Sequence, residues 1–312
     1  MEDTHPRVTL VMNKGALGDM GYNDLLYSGI RKAVEEFDLD FVMLTPESEE
    51  VAEKEILKWS QTSSPGRRLL ILAGEDQSDI IRRHNLRSSE GSSILQLDCN
   101  DASLGVSTIH LPVYGVFWAL GSITGALCEA VPNFGNKAAI VLANPYDSSI
   151  NEGREAFATA YASHGCQTDV FYLSDKTGDG YDSSQKMFEM CSSLDGNYTF
   201  ILPLCGGSAA GLYSYMTLQM IPTFASYGVD SDRNTQAGMI LASALKRIDN
   251  AVYEYCASWF AGDDSARHLS CTMEQGGSSV VLSSAYEPII EMVCDFESIC
   301  RQACIEELNY LQ

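Results

Sequence analysis

An alternation of two apolar periods constrains this chain more than any other feature. Short apolar runs bounded by turn residues recur at 8–12, 41–44, 69–72, 94–97, 138–142, 169–173, 200–203, 223–227 and 279–282. Most are separated by longer stretches with apolar residues near a 3.6 spacing, at 23–37, 48–61, 77–85, 114–131, 150–164, 181–194, 209–219, 236–261 and 286–311. A short run that is apolar at nearly every position reads as a strand buried on both faces. A helix between two such strands carries the chain back so that they pair in parallel. The expected class is α/β, with parallel sheets covered by helices on both sides.

The 312-residue length suggests two domains at roughly 150 residues each, and 45% hydrophobic content is ample for two cores. Pro132-Asn133-Phe134-Gly135-Asn136 stops the 114–131 helix ahead of a fresh strand and marks the expected crossing into a second half. A long helix at 236–261 and a strand at 279–282 follow the last turn motif, so more than one crossing is expected. The expected division is 1–134 plus 235–265 in one lobe, and 135–234 plus 266–312 in the other.

A net charge of −22 argues against nucleic acid as a partner, because neutralising phosphates needs a surplus of Lys and Arg. No apolar run is long enough to span a bilayer, and Met1-Glu2-Asp3 opens without the basic and apolar regions of a secretion signal, so the expectation is a soluble chain. The ten cysteines are scattered, without a CxxC pair or a His at zinc spacing, and no metal is expected. Cys128, Cys205 and Cys256 read as small buried hydrophobes, whereas Cys294, Cys300 and Cys304 fall close enough to pair in an oxidising compartment. No GxSxG elbow, HExxH or Ser/His/Asp order is present and the five histidines are far apart, so neither a catalytic residue nor a cofactor is expected.

Ligands of open parallel sheets collect beyond the carboxyl ends of the strands, where backbone N–H groups are free. After the first strand, Gly15, Gly18 and Gly21 let the backbone turn, and Asp19, Tyr22, Asn23 and Asp24 supply a carboxylate, an aromatic face and an amide. The competing reading is a plain turn with Asn23 or Asp24 capping the next helix. Asp230 in Gly228-Val229-Asp230-Ser231-Asp232 follows the 223–227 strand, and its two acceptor oxygens suit vicinal sugar hydroxyls, although an Asx turn uses the same residue. Gly206 and Gly207 form a glycine-rich turn after the 200–203 strand that lacks both the phosphate-binding lysine and GxGxxG order. Gly74 and Glu75 end the 69–72 strand, Asp98 ends the 94–97 strand, and Lys246 lies on the expected long helix.

GALGDMGYNDLLYSGIRKA, VYGVFWALGSITGAL, ILPLCGGSAAGLY, ASYGVDSDRN and ILASALKRIDNAVYEY resemble, in that order, landmarks of the basic membrane protein family of solute-binding lipoproteins, over roughly 8–286. The resemblance implies a type I periplasmic binding protein architecture: two Rossmann-like lobes joined by hinge crossovers and holding a ligand between them. Characterised members are purine nucleoside receptors that feed ABC importers. It also implies roles. Asp19, Gly21, Tyr22 and Asn23 fall on the family's N-terminal motif, with Tyr22 in place of a phenylalanine that stacks on the base. Asp98 falls on the aspartate that contacts the base, Gly206 and Gly207 on the glycine-rich turn, Asp230 on the ribose-binding aspartate and Lys246 on the lysine beside the ribose. The family's second stacking aromatic has no counterpart in NPYDSSINEGREAF unless Tyr146 serves, and base stacking on one aromatic is worth about 1–3 kcal/mol.

The expected function is capture of a nucleoside-like solute for an ABC importer, without catalysis or nucleic acid. The expected location is the cell envelope, with contact to the membrane only through a lipid anchor that this chain does not show; the alternative is a cytoplasmic homologue. A ligand-sensing regulatory module, a sugar-binding protein and a nucleoside-converting enzyme are the alternatives in function.

Overall fold

In a computed structural model the chain is described over residues 4–12, 17–74, 77–131, 135–219, 223–236 and 239–312. Gly15, Glu75 and Pro132 to Phe134 lie outside those residues. Two units form: Met1–Leu17, Asn23–Leu111 and Ile248–Cys271 make the first, and Gly18–Tyr22, Pro112–Arg247 and Thr272–Gln312 the second.

In the first unit, β1 (Arg7–Val11), β2 (Asp40–Leu44), β3 (Arg68–Leu72), β4 (Ser92–Leu97), β5 (Ser107–His110) and β11 (His268–Ser270) form one sheet in the order β11-β5-β4-β3-β1-β2. Every pairing is parallel. All five residues of β3 are buried, which is why its stretch reads as a continuous apolar run. Helices α1 (Tyr22–Phe37), α2 (Glu49–Gln61), α3 (Gln77–His84) and α8 (Ile248–Phe260) cover the sheet. Leu70 and Leu72 of β3 share a cluster with Ile56 of α2 and with Ile80 and Ile81 of α3. A Cβ on Gly29 of α1 would collide with the Asp249 backbone of α8, so glycine sets the approach of these two helices.

The second unit contains β6 (Lys137–Leu142), β7 (Gln167–Tyr172), β8 (Phe200–Leu204), β9 (Ala225–Asp230), β10 (Ile240–Lys246) and β12 (Ser278–Leu282), ordered β12-β10-β9-β8-β6-β7. Only β12 runs antiparallel, against β10. Along β6, Ala138, Ile140 and Leu142 pack into a cluster with Phe157 and Tyr227. Ala139, Val141 and Ala143 face the opposite layer with Met187 and Leu212. Two-residue alternation between two apolar layers makes the whole strand hydrophobic. Helices α4 (Tyr114–Ala130), α5 (Ser148–Ala162), α6 (Ser184–Leu194), α7 (Ala209–Leu218), α9 (Glu287–Val293) and α10 (Phe296–Tyr310) supply the layers.

Three sequence expectations fail here. The single helix at 236–261 is instead strand β10 followed by helix α8. Ala and Leu at helix-compatible spacing concealed a strand whose residues are buried between β9 and β12, so tertiary pairing overrides local propensity. The single C-terminal helix is α9 and α10, because Asp295 takes an extended conformation and caps the second by accepting the Ser298 N–H at 3.0 Å. Helix α4, placed by sequence with the first lobe, packs in the second unit, where Tyr114 stacks on Tyr310 at 4.2 Å between ring centroids.

Candidate functional site

In both sheets the order of strands reverses once, and loops that leave the strands on either side of that reversal border a crevice at the carboxyl ends. In the first unit the reversal lies between β1 and β3, and in the second between β6 and β8. Gly74 follows β3, Asp98 follows β4, Tyr146 follows β6, Gly206 and Gly207 follow β8, Asp230 closes β9 and Lys246 closes β10. Gly74, Asp98, Gly206, Gly207 and Asp230 thus stand at strand ends as expected, Glu75 lies outside the described residues, and Lys246, expected on a helix, sits on a strand.

Asp98 and Asp230 share an unusual backbone. Both have positive φ, +48° and +65°, where an ordinary L-residue is strained. Such positions persist only when the surroundings hold them, and they concentrate at functional sites. Met20, Asp38 and Asn85 share the positive φ away from strand ends, whereas Asp98 in the first unit and Asp230 in the second each stand at the carboxyl end of a parallel strand.

In the second unit a group of side chains gathers around Gly18–Tyr22. Asp230 pairs in register with Leu245, and Lys246 is the next residue along that neighbouring strand. The Lys246 ammonium lies 5.0 Å from the Tyr22 ring centroid, a cation–π contact with a lysine that is only 6% exposed. Gly21 packs on Asp230, where a Cβ would stand in ordinary contact at 3.4 Å from Oδ2. Its N–H donates to Asp19 Oδ1 at 2.8 Å. The same kind of approach brings Gly207 to Asp19, where a Cβ would meet the aspartate's own at 3.4 Å.

Arg233, which sequence reading overlooked, holds this loop. Its guanidinium is buried and donates to the Asp19 carbonyl at 3.2 Å and to the Met20 carbonyl, while Ser231 Oγ donates to the Met20 carbonyl at 2.6 Å. Arg233 is itself fixed by its backbone N–H donating to Ser243 Oγ at 2.9 Å. Ser243 can come this close because Gly228 has no side chain to collide with it. The available signal was an arginine three residues beyond Asp230 in a strongly acidic chain.

Tyr146 follows β6 with its side chain 60% exposed, and its N–H donates to Asn144 Oδ1 at 2.9 Å. Tyr181 is the aromatic beside the glycine turn: a Cβ on Gly206 would be 2.9 Å from its ring. Its hydroxyl donates to Asp147 Oδ2 at 2.6 Å, and burial pushes its ionisation far up, so the phenol stays neutral. Asp147 also caps α5 by accepting the Ile150 N–H, which explains the NPYDSSIN pattern.

In the first unit two glutamines missed by sequence clamp the end of β3. Gln77 accepts the Gly74 N–H at 3.3 Å and donates to the Met12 carbonyl at 3.1 Å, and Gln96 donates to the Gly74 carbonyl at 2.7 Å. Asn23, 8% exposed, opens α1 in the same unit as Gly74 and Asp98. Among the described residues no three His, Cys, Asp or Glu side chains are arranged to hold a metal ion, and no helix is long and apolar enough to cross a membrane.

No protein-family model and no curated protein sequence matches the chain. Solved structures do. An ABC transporter solute-binding protein from Aeropyrum pernix K1 matches with a TM-score of 0.71 at 16% identity, over 98% of this chain and 86% of that one. A transcriptional activator of the comK gene from Bacillus halodurans matches at 0.66 and 17% identity, over 98% and 97% of the two chains. An ABC transporter solute-binding protein from Burkholderia graminis C4D1M, in complex with D-arabinose, matches at 0.67 and 12% identity, over 92% and 98%. At these identities the likeness is one of fold: two α/β units with mainly parallel sheets, the type I periplasmic binding protein class.

Proposed function

We propose that this chain is a solute-binding protein that captures a ribose-bearing ligand, a purine nucleoside, for an ABC-type importer and releases it unchanged. The observation that carries the reading is Asp230, a carboxylate held at a positive-φ backbone position against Gly21, in the same unit as Lys246 and Tyr22. An ionised carboxylate offers two acceptors to two adjacent hydroxyls, and a neighbouring ammonium offers donors to their oxygens. Tyr22, with a cation on one face, is the proposed stacking surface for the base. The resemblance of the quoted motifs to nucleoside receptors supports the base, and a neighbour named for binding D-arabinose supports a pentose-like portion. The cell envelope is the proposed location. The match to a transcriptional activator favours a second reading, ligand sensing by the same residues with a protein partner in place of an importer.

A thermal-shift panel tests the ligand class, because a ligand that binds only the folded state raises its stability by about 2.7 kcal/mol at a hundredfold excess over Kd. Purine nucleosides are expected to raise Tm by several degrees, with pyrimidine nucleosides, free bases and amino acids well below them. A shift with D-ribose or D-arabinose and none with nucleosides replaces the reading by sugar binding, and no shift at all removes it.

A further inference from the structure

The first unit holds a cavity of about 570 Å³ bordered by β1, β2, the start of β3, the last turns of α2 and the segment 62–65. Small-molecule sites commonly enclose about 300–1,000 Å³. Arg7 and Arg68, which line it, begin β1 and β3 and pair in register. Gly74 and Asp98 follow the other ends of their strands, so this cavity is separate from the crevice at the carboxyl ends.

Most of the basic groups in the cavity wall are already matched by carboxylates. Arg7 donates to Asp40 Oδ2 at 2.9 Å, Lys58 Nζ lies 3.7 Å from Glu55 Oε2, and the His5 ring nitrogens lie 3.6 Å from Asp38 and from Asp40. Arg68 differs. It is only 9% exposed, and its partners are neutral: Nε donates to Ser92 Oγ at 2.8 Å, Nη1 donates to the Trp59 carbonyl at 2.7 Å, and the guanidinium lies 4.2 Å from the Trp59 ring centroid. Among the described residues no carboxylate pairs with it and Nη2 has no hydrogen bond, although the chain as a whole carries a net charge of −22. Burial pushes its pKa down, but an arginine stays charged. Buried charges are ordinarily paired, because desolvation without a counter-charge is costly.

We propose that Arg68 anchors a small organic monoanion in this cavity, a monocarboxylate with an apolar body. One unmatched cation calls for one negative charge, and a carboxylate accepting from Nη2 makes a charge-assisted bond of the stronger kind. Val42, Leu44 and Pro65 supply an apolar wall for the rest of the molecule. Acetate has too little body to use that wall, and inorganic phosphate has none and brings excess charge.

The test is isothermal titration of sodium benzoate, sodium acetate and inorganic phosphate into the 312-residue chain and two variants, each checked for folding by thermal denaturation. Benzoate is expected to bind saturably, one-to-one, with acetate and phosphate weaker by at least tenfold. Arg68→Met keeps an apolar stem over Trp59 and is expected to weaken benzoate at least tenfold. Val42→Glu places a negative charge in the cavity wall at a position that is 39% exposed, where folding tolerates it, and is expected to weaken benzoate to the same degree. No saturable binding of benzoate, acetate or phosphate binding as tightly as benzoate, or unchanged benzoate binding in either folded variant overturns the proposal.

Discussion

Asp230→Gly is expected to leave the free protein as stable as wild type, or more stable by up to about 1 kcal/mol, while weakening ligand binding a hundredfold or more. The two effects have separate physical origins. With φ at +65°, Asp230 occupies the left-handed region that costs a typical L-residue roughly 1–2 kcal/mol and costs glycine nothing. Part of that gain is offset because glycine loses more conformational freedom on folding. The loss of binding follows from removing two charge-assisted hydrogen bonds at about 1.5–3 kcal/mol each, which exceeds two factors of ten in Kd. Thermal denaturation without ligand and a binding titration read the two effects in one sample. A variant that is destabilised and still binds as wild type refutes the role given to Asp230.

Glu307→Ala is expected to cost about 2–5 kcal/mol of stability, because it strips the acceptor from two buried backbone donors. Glu307 on α10 is fully buried and accepts the N–H of Gly115 at 2.9 Å and of Met273 at 2.7 Å. It thereby fastens the C-terminal helix to the first turn of α4, at a point where a Cβ on Gly115 would be 2.9 Å from the carboxylate. Burial raises its pKa above the ordinary 4.5 in spite of those two donors. A carboxyl with a raised folded pKa contributes stability that is complete below the unfolded value and is lost as pH rises through the folded one. The deficit of Glu307→Ala relative to wild type should therefore be largest below about pH 4.5 and narrow toward neutrality. A denaturant series at three pH values reads this, and a deficit that widens with pH contradicts the assignment.

The strand ends could be read from the sequence because a buried parallel strand is apolar throughout and the polar residue that follows it marks its carboxyl end. Asp98 and Asp230 were visible for that reason. Lys246 was visible as a residue and misplaced as structure. Ile240 to Lys246 satisfies a helical apolar pattern as well as a strand pattern, and the decision between them is made by pairing with β9 and β12, which local sequence does not encode. Strands β5 and β11 escaped notice because STIH and HLS are three or four residues long and partly polar. The buried supports of the site were hidden for another reason. Arg233, Gln77 and Gln96 act through backbone carbonyls and N–H groups of distant segments, so nothing in their own neighbourhood of sequence announces the partner. Tyr181 stands far along the chain from Asp147 and Gly206, and only the folding of the second unit brings the three together.

The central claim is tested most directly by isothermal titration of inosine and of D-ribose into one preparation of this 312-residue chain. Inosine is expected to bind saturably, one-to-one, at micromolar Kd or tighter, and ribose more weakly by at least tenfold because the stacking contribution of Tyr22, about 1–3 kcal/mol, is missing. Ribose binding as tightly as inosine, or no saturable heat with any purine nucleoside, contradicts it.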